Sequence, residues 1–104
     1  MIELWNILAA IIVQPEDFSS GDTNGFMNII TWADSAEAAQ KKIASYFLGF
    51  DWHVVGVEEV KVLPLDFVSD NDEFQDMFER ARNNPDAIIC GTFESVSNLR
   101  HLSK

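Results

Sequence analysis

Between Leu4 and Val13 the chain runs ten residues with one polar side chain, Asn6, and no Gly or Pro, and it stops at Pro15. A near-continuous apolar run of this length, closed by a breaker, reads as a strand buried on most of both faces. Leu4, Leu8, Ile11 and Ile12 also fit a helical stripe, but Trp5, Ile7 and Val13 fall outside it, so strand is the better reading. The uninterrupted part, Ile7 to Val13, is far short of the roughly 20 residues that span a bilayer.

Such a strand has to be covered by the rest of the chain. Pro15 to Gly25 concentrates turn formers and is long for a connection, and Asn24-Gly25 suits backbone with positive φ. A second strand, Phe26 to Trp32, would return antiparallel to the first. Asp34 or Ser35 then caps a helix, with Glu37 in reach of a capping box. Ala36, Ala39, Ile43, Tyr46, Phe47 and Phe50 share its apolar face, and Gly49 is expected to end it in the left-handed conformation. Trp52 to Leu63 reads as a third strand. Its valines change parity between Val57 and Val60 near Gly56, which predicts a β-bulge or bend.

Ser69 or Asp70 caps a second helix from Asn71 to Asn83, with Phe74, Met77, Phe78 and Ala81 inward and Asp72, Asp76, Glu79 and Arg80 outward. Acids at its start and Arg80 and Arg82 at its end suit the helix dipole. Asn84-Pro85 stops it. A short fourth strand spans Ala87 to Phe93.

The expected fold is α+β in the order ββαβαβ: a two-layer sandwich, with two helices on one face of a four-stranded mixed sheet. Its layers are similar in general shape to ferredoxin-like domains, though the element order differs. The 104 residues suit a single domain, here 1–94, with a polar tail at 95–104.

Function is constrained mostly by exclusion. Seventeen acidic against seven basic residues give a net charge of −10, which repels nucleic acid and anionic membranes and favours a basic partner. A single cysteine, Cys90, rules out an intrachain disulfide and suits a reducing, cytoplasmic setting. It falls mid-strand, where a buried, inert thiol is expected. One Cys and two distant His cannot build a zinc site. The stretch from Asp70 to Gln75 resembles the start of a calcium loop but has Phe74 and Gln75 where an oxygen ligand and Gly belong. No Gly-rich phosphate cradle or nucleophile elbow is present. Glu58 and Glu59 are adjacent on a strand and point apart unless a bulge re-aims one. No cofactor and no metal are expected.

Two surfaces stand out as partner sites: the loop acids Glu16, Asp17 and Asp22 around Phe18, and the outer face of the second helix, Asp72, Asp76 and Glu79. The expectation is a small acidic protein-binding module without enzymatic activity, in one version an inhibitor or immunity-type protein that masks a basic partner. The alternative is a small-ligand sensor or minor enzyme with a cleft on the open sheet face, using Tyr46, Trp52 and His53. Self-association through that face is a third possibility.

Overall fold

The computed structural model describes residues 2–17 and 23–95. The fold is α+β, with two helices and an antiparallel sheet of five strands. The strands are β1 (Glu3–Ile12), β2 (Asn24–Ala33), β3 (His53–Leu63), β4 (Ile88–Cys90) and β5 (Glu94–Ser95); the helices are α1 (Ala36–Leu48) and α2 (Asp72–Arg82). The sheet order is β3-β1-β2-β4, and β5 pairs with β2 along the same edge as β4. Every pairing is antiparallel, so the expected mixed sheet does not form.

The helices do not share a face. Alternate residues of β1 and β2 point to opposite sides. Ile7, Ala9, Ile11, Met27 and Ile29 pack with Ala39, Ile43 and Phe47 of α1. Their neighbours Leu4 and Ile30 pack with Met77, Phe78 and Ala81 of α2. The expected two-layer, ferredoxin-like shape with both helices on one face is therefore corrected to a central sheet with one helix on each side. The physical reason lies in β1: a strand apolar on both faces needs cover on both. The α2 side is fastened by Trp32, whose indole N–H donates to the Ala81 carbonyl at 2.7 Å.

The change of valine parity is real. Register shifts lie between Leu8 and Ala9 and between Ala10 and Ile11, leaving Glu58 and Val55 as extra residues on β3. The two bulges let Val54, Val57 and Val60, spaced by three, all reach the α1 core. They also twist an exposed edge strand away from flat pairing.

The helix starts follow the cap rules with small shifts. Ser35 caps α1, its Oγ accepting the Ala38 N–H at 3.0 Å. Asn71, rather than Ser69 or Asp70, caps α2, taking the Phe74 N–H at 2.8 Å. Gly49 is right-handed at φ −62, and the left-handed residue after α1 is Asp51 at φ 61. Of the expected core, Ala39, Ile43, Phe47, Met77 and Phe78 are buried and Phe74 is half-buried.

The expected fourth strand, Ala87 to Phe93, shortens to Ile88–Cys90, and a fifth, Glu94–Ser95, forms beyond its expected end. At Gly91 an added Cβ would lie 3.1 Å from Met77 Sδ and 3.3 Å from Glu73 Oε1, so α2 presses directly on the edge there. Glu73 also binds Thr92, and the chain leaves the ladder between β4 and β5. Of the expected tail, Ser95 is buried and paired in β5, and 96–104 lie outside the described residues.

Gly25 is needed for close approach rather than for positive φ. A Cβ on it would sit 2.5 Å from the Glu94 carbonyl oxygen and 2.6 Å from the Phe93 ring. Gly25→Ala is expected to destabilise by about 1–3 kcal/mol and to free β5. Both a lower denaturant midpoint and faster amide exchange at Ser95 should appear; wild-type exchange at Ser95 would contradict this packing.

Candidate functional site: an aromatic groove beside the loop acids

The apolar face of α1 runs on beyond the sheet it covers. Phe47 is fully buried, whereas Tyr46 keeps 41% and Phe50 50% of its surface. Trp52 joins them after the turn. Ring centroids lie 5.3 Å apart for Tyr46 and Phe50, 5.4 Å for Phe50 and Trp52, and 5.6 Å for Phe47 and Trp52. These are tilted and edge-on contacts of the kind aromatic clusters favour.

Across from this cluster stand Met27 of β2 and the edge segment Cys90 to Phe93. Between the two walls is an apolar groove of about 490 Å³. It lies on the α1 side of the sheet, not on the open face where a cleft was expected. Tyr46 and Trp52 line it. His53 does not: it pairs in register with Ile12, turns to the other face, and sits 3.6 Å from the Asp51 carboxylate.

The loop acids border the same end. Pro15–Asp17 forms one turn of 3-10 helix, with Glu16 and Asp17 exposed. The Trp52 indole N–H donates to Asp17 Oδ2 at 2.6 Å. Gln14 Nε2 donates to the Asp51 backbone oxygen at 2.9 Å and to its Oδ2 at 3.2 Å. These bonds hold Asp17 and Asp51 beside the aromatic cluster. Phe18 and Asp22, expected in this surface, lie outside the described residues.

The second expected surface is separate from this one. Asp72, Asp76 and Glu79 are exposed on α2, across the sheet from α1. Two are engaged along their own helix: Asp76 lies 3.6 Å from Arg80, and Glu79 accepts from Gln75 at 2.9 Å. Such pairs on a solvated helix face contribute little. Glu58 and Glu59 are both exposed, and Glu59 pairs with Lys61 at 3.5 Å.

Two residues that line the groove, Phe50 and Cys90, and the neighbouring acid Asp51 are not evident from sequence pattern. Helical spacing puts Phe50 with the buried face of α1, and Asp51 carries no local signal at all. Four aromatics between residues 46 and 52 nevertheless exceed what one helix end can bury, and that surplus is a readable sign of an exposed cluster. Cys90 is the clearest correction. It ends a three-residue edge strand and is exposed, where a buried position was expected. The apolar groove nevertheless draws enough water from its sulfur to push the thiol up to about 11.

Only thiolate attacks a thiol reagent, so access and reactivity separate here. Cys90 is expected to label in the folded protein, slowly at pH 7, with a rate still rising at about pH 10. A rate that levels off near pH 9 would show an ordinary thiol instead.

Among the described residues no group of three or more His, Cys, Asp or Glu is placed to hold a metal ion. No helix among them is long and apolar enough to cross a membrane. No family of known proteins, no curated protein and no solved structure matches this chain.

Proposed function

We propose that this chain is an acidic, non-enzymatic protein-binding module that engages a basic partner through the aromatic end of α1. The observation that carries the reading is the coincidence of exposed Tyr46 and Phe50 with the carboxylates Glu16, Asp17 and Asp51. Buried aromatic anchors supply most of the holding energy at interfaces, while charge steers the encounter and selects against the wrong partner. A net charge of −10 makes that steering strong for a basic surface. An inhibitor or immunity-type protein in the cytoplasm is the version that fits best, since such a protein must cover a charged site on another molecule. The α2 acids Asp72, Asp76 and Glu79 are a secondary contact in this reading.

A small apolar ligand in the groove is the second reading, because its volume falls within the range of small-molecule sites. Self-association through the sheet face beside α2 ranks below both, since two copies would bring like charges together.

The test is kinetic. A partner captured on the immobilised chain should associate more slowly as salt rises, with dissociation little changed. Association insensitive to salt would count against a charge-steered partner.

A further inference from the structure

We propose that the side chain the aromatic groove receives from the basic partner is an arginine, an assignment that rests on the binding role proposed above. The groove, of about 490 Å³, has Tyr46, Phe50 and Trp52 along one wall and Phe93 on the other, with Met27 and Phe47 also lining it. Apolar walls alone would take any apolar side chain. Three features select instead a flat cation on an apolar stem.

The first is ring surface. Tyr46 and Phe50 line the groove and keep 41% and 50% of their surface exposed. The face of an aromatic ring is its negative side, and it attracts a cation held within about 6 Å of the centroid. Trp52 is tuned further, because its indole N–H donates to the Asp17 carboxylate at 2.6 Å. A ring N–H bonded to an anion leaves more electron density on the indole, which strengthens that attraction. The same kind of contact occurs within the chain, where the Arg82 guanidinium lies 5.5 Å from the Phe78 ring centroid.

The second is charge. No Lys or Arg lines the groove, and among the described residues none pairs with Asp17 or Asp51 beside it. The described cations are engaged elsewhere: Lys41 with Glu37, Lys61 with Glu59 and Arg80 with Asp76. Lys42 donates to the Trp32 carbonyl, and Arg82 to that of Leu65. A partner seated here through apolar side chains alone would strip water from both carboxylates and return no hydrogen bond, which costs affinity. Trp52 takes only one of the several lone pairs of Asp17, and a guanidinium brings N–H donors for the others.

The third is the apolar lining itself, which separates arginine from lysine. An ammonium group is a compact, strongly hydrated charge, and apolar walls cannot replace its water. A guanidinium is more weakly hydrated and stacks its faces on aromatic rings, while its N–H groups point outward in its own plane. Rings along the walls and carboxylates beside them match that division. The methylene stem of the side chain then lies against apolar surface such as Met27 and Phe47.

The full chain, isotope-labelled, should be titrated by NMR with a capped Gly-Arg-Gly peptide and with the same peptide carrying citrulline, lysine or leucine in place of arginine. Citrulline keeps the stem and the planar head but has no charge. Saturable shifts of the Tyr46 and Phe50 rings and of the Thr92 and Phe93 amides are expected with the arginine peptide, half-complete at about 1–10 mM. The citrulline and leucine peptides should bind about tenfold more weakly, and the lysine peptide about threefold. Phe50→Ala should weaken the arginine peptide about fivefold. Asp17→Asn, which keeps an acceptor for the Trp52 N–H, should weaken it about threefold. No saturable shift with arginine, shifts away from the groove, or an equal response to citrulline or leucine would each overturn the arginine assignment. The binding role is read separately, from dissociation of a captured partner. If Phe50→Ala speeds that dissociation while the leucine peptide binds better than the arginine one, the anchor is apolar and only the arginine assignment falls. If the partner leaves Phe50→Ala no faster than wild type, the binding role falls and the arginine assignment with it.

Discussion

Phe78→Ala should destabilise the protein by about 3–5 kcal/mol, the cost of emptying a large, fully enclosed aromatic site. Phe78 is entirely buried and packs with Phe67, whose ring centroid lies 5.2 Å away, and with Arg82 over its ring at 5.5 Å. Ile43→Ala, in the opposite layer, should cost about 2–5 kcal/mol. The two residues belong to separate clusters on opposite faces of the sheet. Their effects should therefore add to within about 0.5 kcal/mol in the double variant. Chemical denaturation of the four proteins in one cycle measures this. A coupling of more than about 1 kcal/mol would mean a shared core and would contradict the arrangement with one helix on each side.

Phe50→Ala should weaken the complex with a basic partner by about 2 kcal/mol, roughly thirtyfold, through faster dissociation. Phe50 is half exposed and touches only its aromatic neighbours Tyr46 and Trp52 among the ring contacts of this end. Its loss should cost the free protein no more than about 1 kcal/mol. Asp17→Asn should act on the other rate constant, slowing association and flattening its salt dependence. If Phe50→Ala lowers stability and leaves dissociation unchanged, the exposed ring is packing and not an anchor.

Local features of the chain were legible because local chemistry decides them. Ser35 and the stripe Ala39, Ile43 and Phe47 specify α1 without help from the rest of the protein. Pro15 and the apolar run before it bound β1, and the valine spacing on β3 announced its bulges. The layer arrangement was also implied, because a strand apolar on both faces cannot leave one of them bare. Crossover handedness constrains parallel strands joined by a helix, and all the strand pairs here are antiparallel. β3 and β4 sit at opposite edges of an antiparallel sheet, so α2 was free to cross the other face. The contacts that hold it there, Trp32 to Ala81 and Gly91 against Met77, join residues distant in sequence.

The candidate site was legible by halves. The acids of the loop and the aromatics of α1 were each visible, but nothing local says that Asp17 accepts from Trp52, 35 positions away. The far wall of the groove, Cys90 to Phe93, depends on where the edge strand breaks, and that is set by the press of α2 at Gly91.

Amide hydrogen exchange of the chain, free and with a captured basic partner bound, tests the functional reading most directly, because it locates the interface without altering any residue. The expected result is new protection at residues 15–17 and 46–52, with residues 72–79 of α2 changed little. Protection confined to α2, with the aromatic end exchanging as in the free protein, would contradict it.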